Sequence, residues 1–476
     1  MIGAIVGKEL TECRRDSRVR TILGLMGALM LLGLLTAWAT HVKQERQVGQ
    51  AQSQDQETFL RQGDKPSHSA AHFGRMAYKP PAPLSVFDAG ASPYLGQVIW
   101  LEAHRQDPAM FRPAEDAPEL SRLADLSVAG VLTSMLPLLI FVIGSGTFAA
   151  ERERQTLRQV MTVGPGLSAL FRGKLVAVAG VGVAASFVVI AACTALAIGS
   201  SQAAKPVDTM LRGASLFAGF AAYACICAAI ALLVSARART ATAALSILLT
   251  IWAISVVVAP RIAASAGELL HPTSDSGAFW AQVSESIRAN RPPRDSEEMR
   301  RIERSVLSRA MGREVAEQEI ATLDVNRVAL SQEVSEVLGA KAYADAYAAL
   351  HATYDRQQRV RRWSSIASPT IALLHWSSSL AGTDVSAHRH FALEAERQRQ
   401  LIIRKMNEDM MLNGGGQGYE YLAAASFWRT VPDFAYQPPS VGFAIRAVRP
   451  DGMVLLTWSA LALSAAWLIA RRQRLI

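Results

Sequence analysis

Residues 126–160 read LSVAGVLTSMLPLLIFVIGSGTFAAERERQTLRQV. The first 25 carry no Asp, Glu, Lys or Arg, and the next eight carry two glutamates and three arginines. A helix of 25 apolar residues covers the ~30 Å hydrocarbon core of a bilayer. A soluble core helix of that length would show a charged face. The chain therefore crosses a membrane here and leaves it through a dense, mixed-charge segment.

Five further runs share this character: residues 21–40, 175–204, 213–236, 240–260 and 452–470. The chain is 50% hydrophobic yet 19% charged over 476 residues, with mean hydropathy +0.18. That balance fits separate membrane and aqueous parts. The run at 21–40 is too long for the apolar core of a signal peptide and has no small-x-small cleavage site after it, so it reads as a retained span.

Orientation follows from the short flanks. Lys8, Arg14, Arg15, Arg18 and Arg20 precede span one. Arg152, Arg154, Arg158, Arg172 and Lys174 lie between spans two and three. Arg237 and Arg239 separate spans four and five, and Arg471, Arg472 and Arg474 follow span six. Six spans put all four groups on one side, which the positive-inside rule makes the cytoplasm. The net charge of +9 thus reports topology, and its dispersal along membrane edges argues against nucleic-acid binding.

The predicted fold is mainly α, a six-span membrane protein with a large, mostly helical outer domain built from two insertions. In order, it has an amphipathic cytoplasmic helix (1–20), span one (21–40), the first insertion (41–125) and span two (126–150). A cytoplasmic segment (151–174), span three (175–204), a short outer loop (205–212), span four (213–236) and a cytoplasmic turn (237–239) follow. Span five (240–260), the second insertion (261–451), span six (452–470) and a cytoplasmic tail (471–476) complete it.

The Gln-rich residues 42–65 continue span one as a helix. Residues 72–96 are dense in Pro and Gly and read as loop with short strands. In the second insertion, Asp295 and Ser296 are N-cap candidates with Glu297 and Glu298 in the first turn. Tyr343, Tyr347, Leu350 and Tyr354 form a stripe that reads as a helix–helix seam. A helix over 391–412 stops at Asn413-Gly414-Gly415-Gly416. Neither insertion holds a cysteine, so there is no disulfide framework.

Candidate chemistry is sparse. Asp384, His388 and His390 are the candidate metal ligands, yet residues two apart on a helix point away from each other. Arg172-Gly173-Lys174 lacks the spacing and the Ser/Thr of a phosphate loop, so this chain binds no nucleotide cofactor. The apolar runs lack ionisable side chains, which argues against a proton- or sodium-coupled carrier and against an intramembrane enzyme. Gly180, Gly182, Ala184 and Ala185 in span three, with Gly213, Ala218, Gly219 and Ala222 in span four, permit close helix approach.

The segment after span two resembles the ABC-2 type permeases, membrane subunits of one class of ABC exporters. Phe148, Glu151, Arg152, Glu153, Thr156, Leu157, Pro165, Gly173 and Lys174 match that family's pattern in order. Gln155 stands where the family usually has Gly, which predicts a more regular helix there. KPPAPLSVFDAGASPYLG (79–96) and AGTDVSAHRHF (381–391) resemble a bacterial subgroup with two large periplasmic insertions. The resemblance implies a coupling helix seated on a separate ATPase. Its residues would be Glu151, Arg152, Glu153, Arg154, Thr156, Leu157 and Arg158. It also implies two ATPase copies holding ATP and Mg, and a second permease copy or a related permease. It further implies location in the bacterial inner membrane with both termini cytoplasmic, and leaves room for periplasmic protein partners. The competing reading is a membrane-anchored periplasmic scaffold or sensor without transport, which would have little use for this motif.

Overall fold

The computed structural model describes residues 1–116, 127–162, 166–200 and 205–471. Pro165, the end of span three, part of the first insertion, and Arg472 and Arg474 of the tail lie outside the described residues. The fold is mainly α, with 78% helix and a single small sheet among the described residues. Among the described residues six helices are long and apolar enough to cross a membrane: Ser17–Leu60, Val128–Glu153, Leu167–Gly199, Pro206–Arg237, Ala241–Leu270 and Val441–Ile469.

Helix α1 (Ile2–Arg15) is amphipathic and ends at Asp16, whose carboxylate caps α2 (Ser17–Leu60) by accepting from the Arg18 N–H. At 44 residues α2 is about 66 Å long, at 1.5 Å per residue, so the Gln-rich residues up to Leu60 continue span one as one helix, as expected. Helix α3 (Ser67–Phe73) follows. It leads into strand β1 (Arg75–Tyr78), which pairs antiparallel with β2 (Val98–Leu101) in the register Arg75↔Leu101 to Tyr78↔Val98. A single turn, α4 (Pro113–Asp116), completes the described part of this insertion.

Spans two and four, α5 (Val128–Glu153) and α8 (Pro206–Arg237), form the buried centre of the bundle. They are packed by α7 (Leu167–Ser200), α2 and α16 (Val441–Arg471). Small residues set the approach distances. A Cβ on Gly144 would lie 2.5 Å from the Ala231 Cβ, and one on Gly182 2.8 Å from Ile140. Between α5 and α7 lies the short α6 (Thr156–Thr162). Span five is α9 (Ala241–Trp252), a π-helical turn (Ala253–Val258) and α10 (Ala259–Leu270). The change in hydrogen-bond register comes just before Pro260, which has no N–H to donate.

The second insertion consists of α11 (Ser276–Ala289), α12 (Glu297–Met311), α13 (Arg327–Ser364), α14 (Pro369–Ala381) and α15 (Val385–Asn413). Ser296 caps α12, accepting from the Met299 N–H at 3.1 Å. The tyrosine stripe is a seam at its N-terminal end: Tyr343 and Tyr347 pack on Phe279 and Trp280 of α11, while Tyr354 is exposed. Both insertions share one core, in which Phe59, Ala77 and Leu101 meet Phe391, Ile402, Met406 and Trp428.

Helix α14 packs on the bundle of apolar helices. Its Ala372, Leu373, Leu380 and Ala381 belong to the same hydrophobic core as α5, α7 and α8. The Trp376 ring sits where Cβ atoms on Gly219 (2.5 Å) and Gly452 (2.7 Å) would stand. Charges absent from the apolar runs enter the spanning helices at their ends. Arg212 of α8 is fully buried. It donates to Asp208 at 2.7 Å and to the Leu380 carbonyl at 2.9 Å. Asp451 of α16 is buried and accepts from His375 of α14 at 2.9 Å. The two stretches that carried the subgroup resemblance also meet: Leu84 N–H donates to the Ala381 carbonyl, and Ala91 N–H to the Thr383 carbonyl.

Candidate functional site

The mixed-charge motif divides its side chains between the interior and the surface. Phe148 is fully buried and stacks on Phe171, with ring centroids 5.5 Å apart. At the same level Ser235 of α8 accepts from the Phe148 and Ala149 N–H groups (3.0 and 3.1 Å) and donates to the Ser145 carbonyl (2.7 Å). This stitches spans two and four where they leave the membrane.

Glu151 turns inward. Its Oε1 lies 2.8 Å from the Lys174 Nζ of α7 and 2.6 Å from the Lys8 Nζ of α1. Lys174 is fully buried, and also donates to Glu9 of α1 (2.6 Å) and the Thr147 carbonyl (2.7 Å). A buried ammonium needs this many oxygens to replace water. Gly173 beside it has a separate reason: a Cβ there would meet the Ile5 side chain at 2.7 Å, so glycine admits α1 onto α7. The Gly-Lys pair is thus the docking point of the amphipathic helix.

Arg152 reaches across to α8 and donates to the carbonyls of Ala238 (2.6 Å) and Ala236 (2.7 Å), satisfying acceptors that a helix end leaves open. Glu153 accepts from the Ala241 N–H at 3.2 Å, at the positive start of α9. Successive residues therefore tie span two to α1, α7, α8 and α9.

Helix α5 ends at Glu153, and Gln155 takes a left-handed backbone, φ +61°. The expectation of a more regular helix at Gln155 is corrected: the chain turns sharply there, the conformation in which glycine avoids the Cβ penalty. Beyond the turn Thr156 donates to the Glu151 carbonyl at 3.2 Å, and Leu157 is buried in the bundle core rather than presented outward. Arg154, Gln155, Arg158 and Gln159 are exposed. Of the sequence-predicted contact residues, the structure leaves Glu153, Arg154 and Arg158 on the surface and turns Glu151, Arg152 and Leu157 inward. Glu9 and Ser235 were not legible as partners: a glutamate on an amphipathic helix and a serine in a span carry no signal without their neighbours.

On the other side of the bundle a cavity of about 550 Å³ opens between α2 and the loop 79–97. Its wall is mainly apolar, with Leu32, Pro80 and Tyr94, and His41, Gln44 and Lys79 supply polar groups. Burial pushes the Lys79 amine down to about 8, while Asp384 acts in the opposite sense.

Asp384, His388 and His390 do not converge. Asp384 caps α15 by accepting from the Ala387 N–H (2.9 Å), and His390 meets the Tyr436 hydroxyl (3.2 Å). His388 packs near Phe391, and burial together with Lys79, His351 and Arg112 lowers its imidazole to about 3.

Residues 99–254 match a family model described as ABC-2 family transporter protein, and residues 278–437 match a domain of unknown function, DUF3526. No curated protein and no solved structure matches the chain. The first match runs from β2 to the end of α9 and so contains the whole stitched segment. Permeases of this family work in general with an ABC ATPase and are normally not catalytic themselves. Together with the six apolar helices, this match supports an ABC-2 type permease, a membrane protein of transport.

Proposed function

We propose that this chain is the membrane half of an ABC exporter, paired with a second permease and driven by two separate ATPase subunits that hold ATP and Mg. The membrane is the bacterial inner membrane, with the termini cytoplasmic and the two-insertion domain periplasmic. One observation supports the coupling role above the others. The turn at Arg154–Gln159, with Arg154, Gln155, Arg158 and Gln159 exposed, follows directly on Glu151, Arg152 and Glu153, which contact α1, α7, α8 and α9. A displacement of this turn by a partner reaches four neighbouring helices at once.

The contact surface is Arg154, Gln155, Arg158 and Gln159, with Glu153 at its edge. Arginine side chains suit paired contact with carboxylates of a partner groove. Glu151 is no part of that surface, because its carboxylate serves Lys174 and Lys8. The mainly apolar cavity beside α2 favours an amphipathic cargo over a small ion.

The test is co-purification of the permease with its ATPase. Arg154→Glu with Arg158→Glu should release the ATPase while the permease keeps its elution volume in detergent. Retention of the ATPase at wild-type stoichiometry would remove the coupling assignment and favour the scaffold.

A further inference from the structure

The outer domain holds three imidazoles in one place. His68 and His72 lie one turn apart on α3, with Nε2 atoms 3.1 Å apart. His104, in the loop after β2, brings its ring centroid to 5.4 Å from His68 and 5.2 Å from His72. One ring nitrogen from each of the three falls within 4.8 Å of the others. Three nitrogens around a zinc ion at ~2.0–2.1 Å in tetrahedral geometry stand about 3.3 Å apart, so small side-chain rotations close the set.

The surroundings orient His104 as a ligand. Its Nδ1 lies 2.8 Å from Glu336 Oε1, and its backbone N–H donates to the same oxygen. A carboxylate oxygen accepts, so the Nδ1–H of His104 points to Glu336 and Nε2 is the ring nitrogen left to ligate. Carboxylate–histidine pairs of this kind fix tautomer and ring direction at metal centres. His104 also adopts φ +63°, a left-handed backbone that costs a non-glycine residue energy. That cost is met by both contacts to Glu336. His68 is half-buried, and His72 and His104 are exposed, so an ion can enter and the fourth position faces water.

We infer that His68, His72 and His104 form a three-imidazole site for a borderline divalent transition-metal ion of the Zn²⁺ class, with Glu336 as its orienting carboxylate. The site lies at a junction: the histidines belong to the first insertion, and Glu336, on α13, to the second. A bound ion would therefore tie α3 to the loop after β2 within the first insertion, while Glu336 of the second insertion holds His104 in place. Imidazole ligands with no thiolate and no close carboxylate in the first coordination layer favour Zn²⁺ or Cu²⁺ over Mg²⁺ or Ca²⁺.

The experiment is a Zn²⁺ titration of the full chain in detergent, purified without a histidine tag and stripped with chelator, followed by calorimetry. One ion per chain is expected. His72→Ala and His104→Ala should each weaken binding more than tenfold. Glu336→Gln should weaken it about 10- to 100-fold through loss of orientation. His388→Ala should leave it unchanged. Co²⁺ in place of Zn²⁺ should give the intense visible bands of a four-coordinate site in the wild type and not in His72→Ala, with unchanged gel-filtration profiles confirming both folds. Absence of saturable binding, or equal binding by the His72→Ala/His104→Ala variant, would overturn the assignment and leave the cluster as hydrogen-bonded imidazoles.

Discussion

Lys174→Met removes the ammonium that joins α1, α5 and α7 and leaves Glu9 and Glu151 behind. Each carboxylate lies under 3 Å from Lys174 Nζ, at 2.6 and 2.8 Å. At an effective dielectric of about 20, each contact is worth roughly 6 kcal/mol of gross attraction, set against several kcal/mol of desolvation per ion. The intact cluster is close to balanced, but the broken one keeps the desolvation and loses the attraction. Removing one partner of a buried pair costs about 3–5 kcal/mol. Lys8 still reaches both carboxylates, at 2.6 and 3.0 Å, and is itself half-exposed, so we place the loss near ~3 kcal/mol. The assay is equilibrium unfolding of the purified chain in bicelles with SDS, read by circular dichroism. Lys174→Met combined with Glu9→Gln and Glu151→Gln should recover to within ~1 kcal/mol of wild type, since no unpaired charge then remains. Arg61→Ala, which removes the exposed pair with Glu57, should cost under ~1 kcal/mol. The reasoning fails if Lys174→Met unfolds with the wild type, or if the triple variant is no more stable than the single one.

Gln155→Gly should stabilise the chain by ~1 kcal/mol and Gln155→Val should destabilise it by more, since the position is left-handed; the same bicelle unfolding measures both. Acid should weaken the outer domain. The folded state holds His388 neutral, with its imidazole at about 3, whereas the unfolded chain takes up a proton near 6.5. The stability from that neutral form is present above pH 6.5 and is lost as pH falls toward 3. The loss amounts to about 2 kcal/mol at pH 5, at 1.36 kcal/mol per unit, and His388→Asn should flatten that part of the profile in chelator-treated protein. Gly219→Leu should drive Trp376 from its slot and detach α14 from the bundle, seen as a red-shifted Trp emission and faster proteolysis between residues 365 and 385; an unchanged emission and cleavage pattern would refute the docked α14.

The legible parts of the site were those that depend on neighbours in sequence. Ser296 before Glu297, the glycine stop after Asn413 and the tyrosine seam each rest on spacing along one helix. The motif at 148–174 was legible as a pattern, but its division of labour was not. Nothing along the chain says that Glu151 faces a lysine 23 residues later, because that depends on which turn of α7 lies against α5. Gln155 was misread for a related reason: its left-handed turn follows from where Leu157 must enter the core. The metal candidates show the same limit. Asp384, His388 and His390 stood out as close neighbours in sequence, while the convergent imidazoles come from two segments joined by β1–β2 pairing. His68-x-x-x-His72 was a readable one-turn pair, and His104 was not.

The sequence by itself determined that this protein carries six apolar segments long enough to span a membrane and is mainly helical. Long runs without charge have one favourable solvent, and mixed-charge flanks have another. It also marked two long segments, 41–125 and 261–451, that separate these apolar runs. Only the tertiary structure decided that α14 returns to the bundle, that Lys174 binds α1 to spans two and three, and that two insertions share one core. Transfer from water is fixed by each residue's own chemistry and needs no partner. A buried charge or a glycine slot has meaning only through the atoms that fill the space beside it, and those atoms come from elsewhere in the chain.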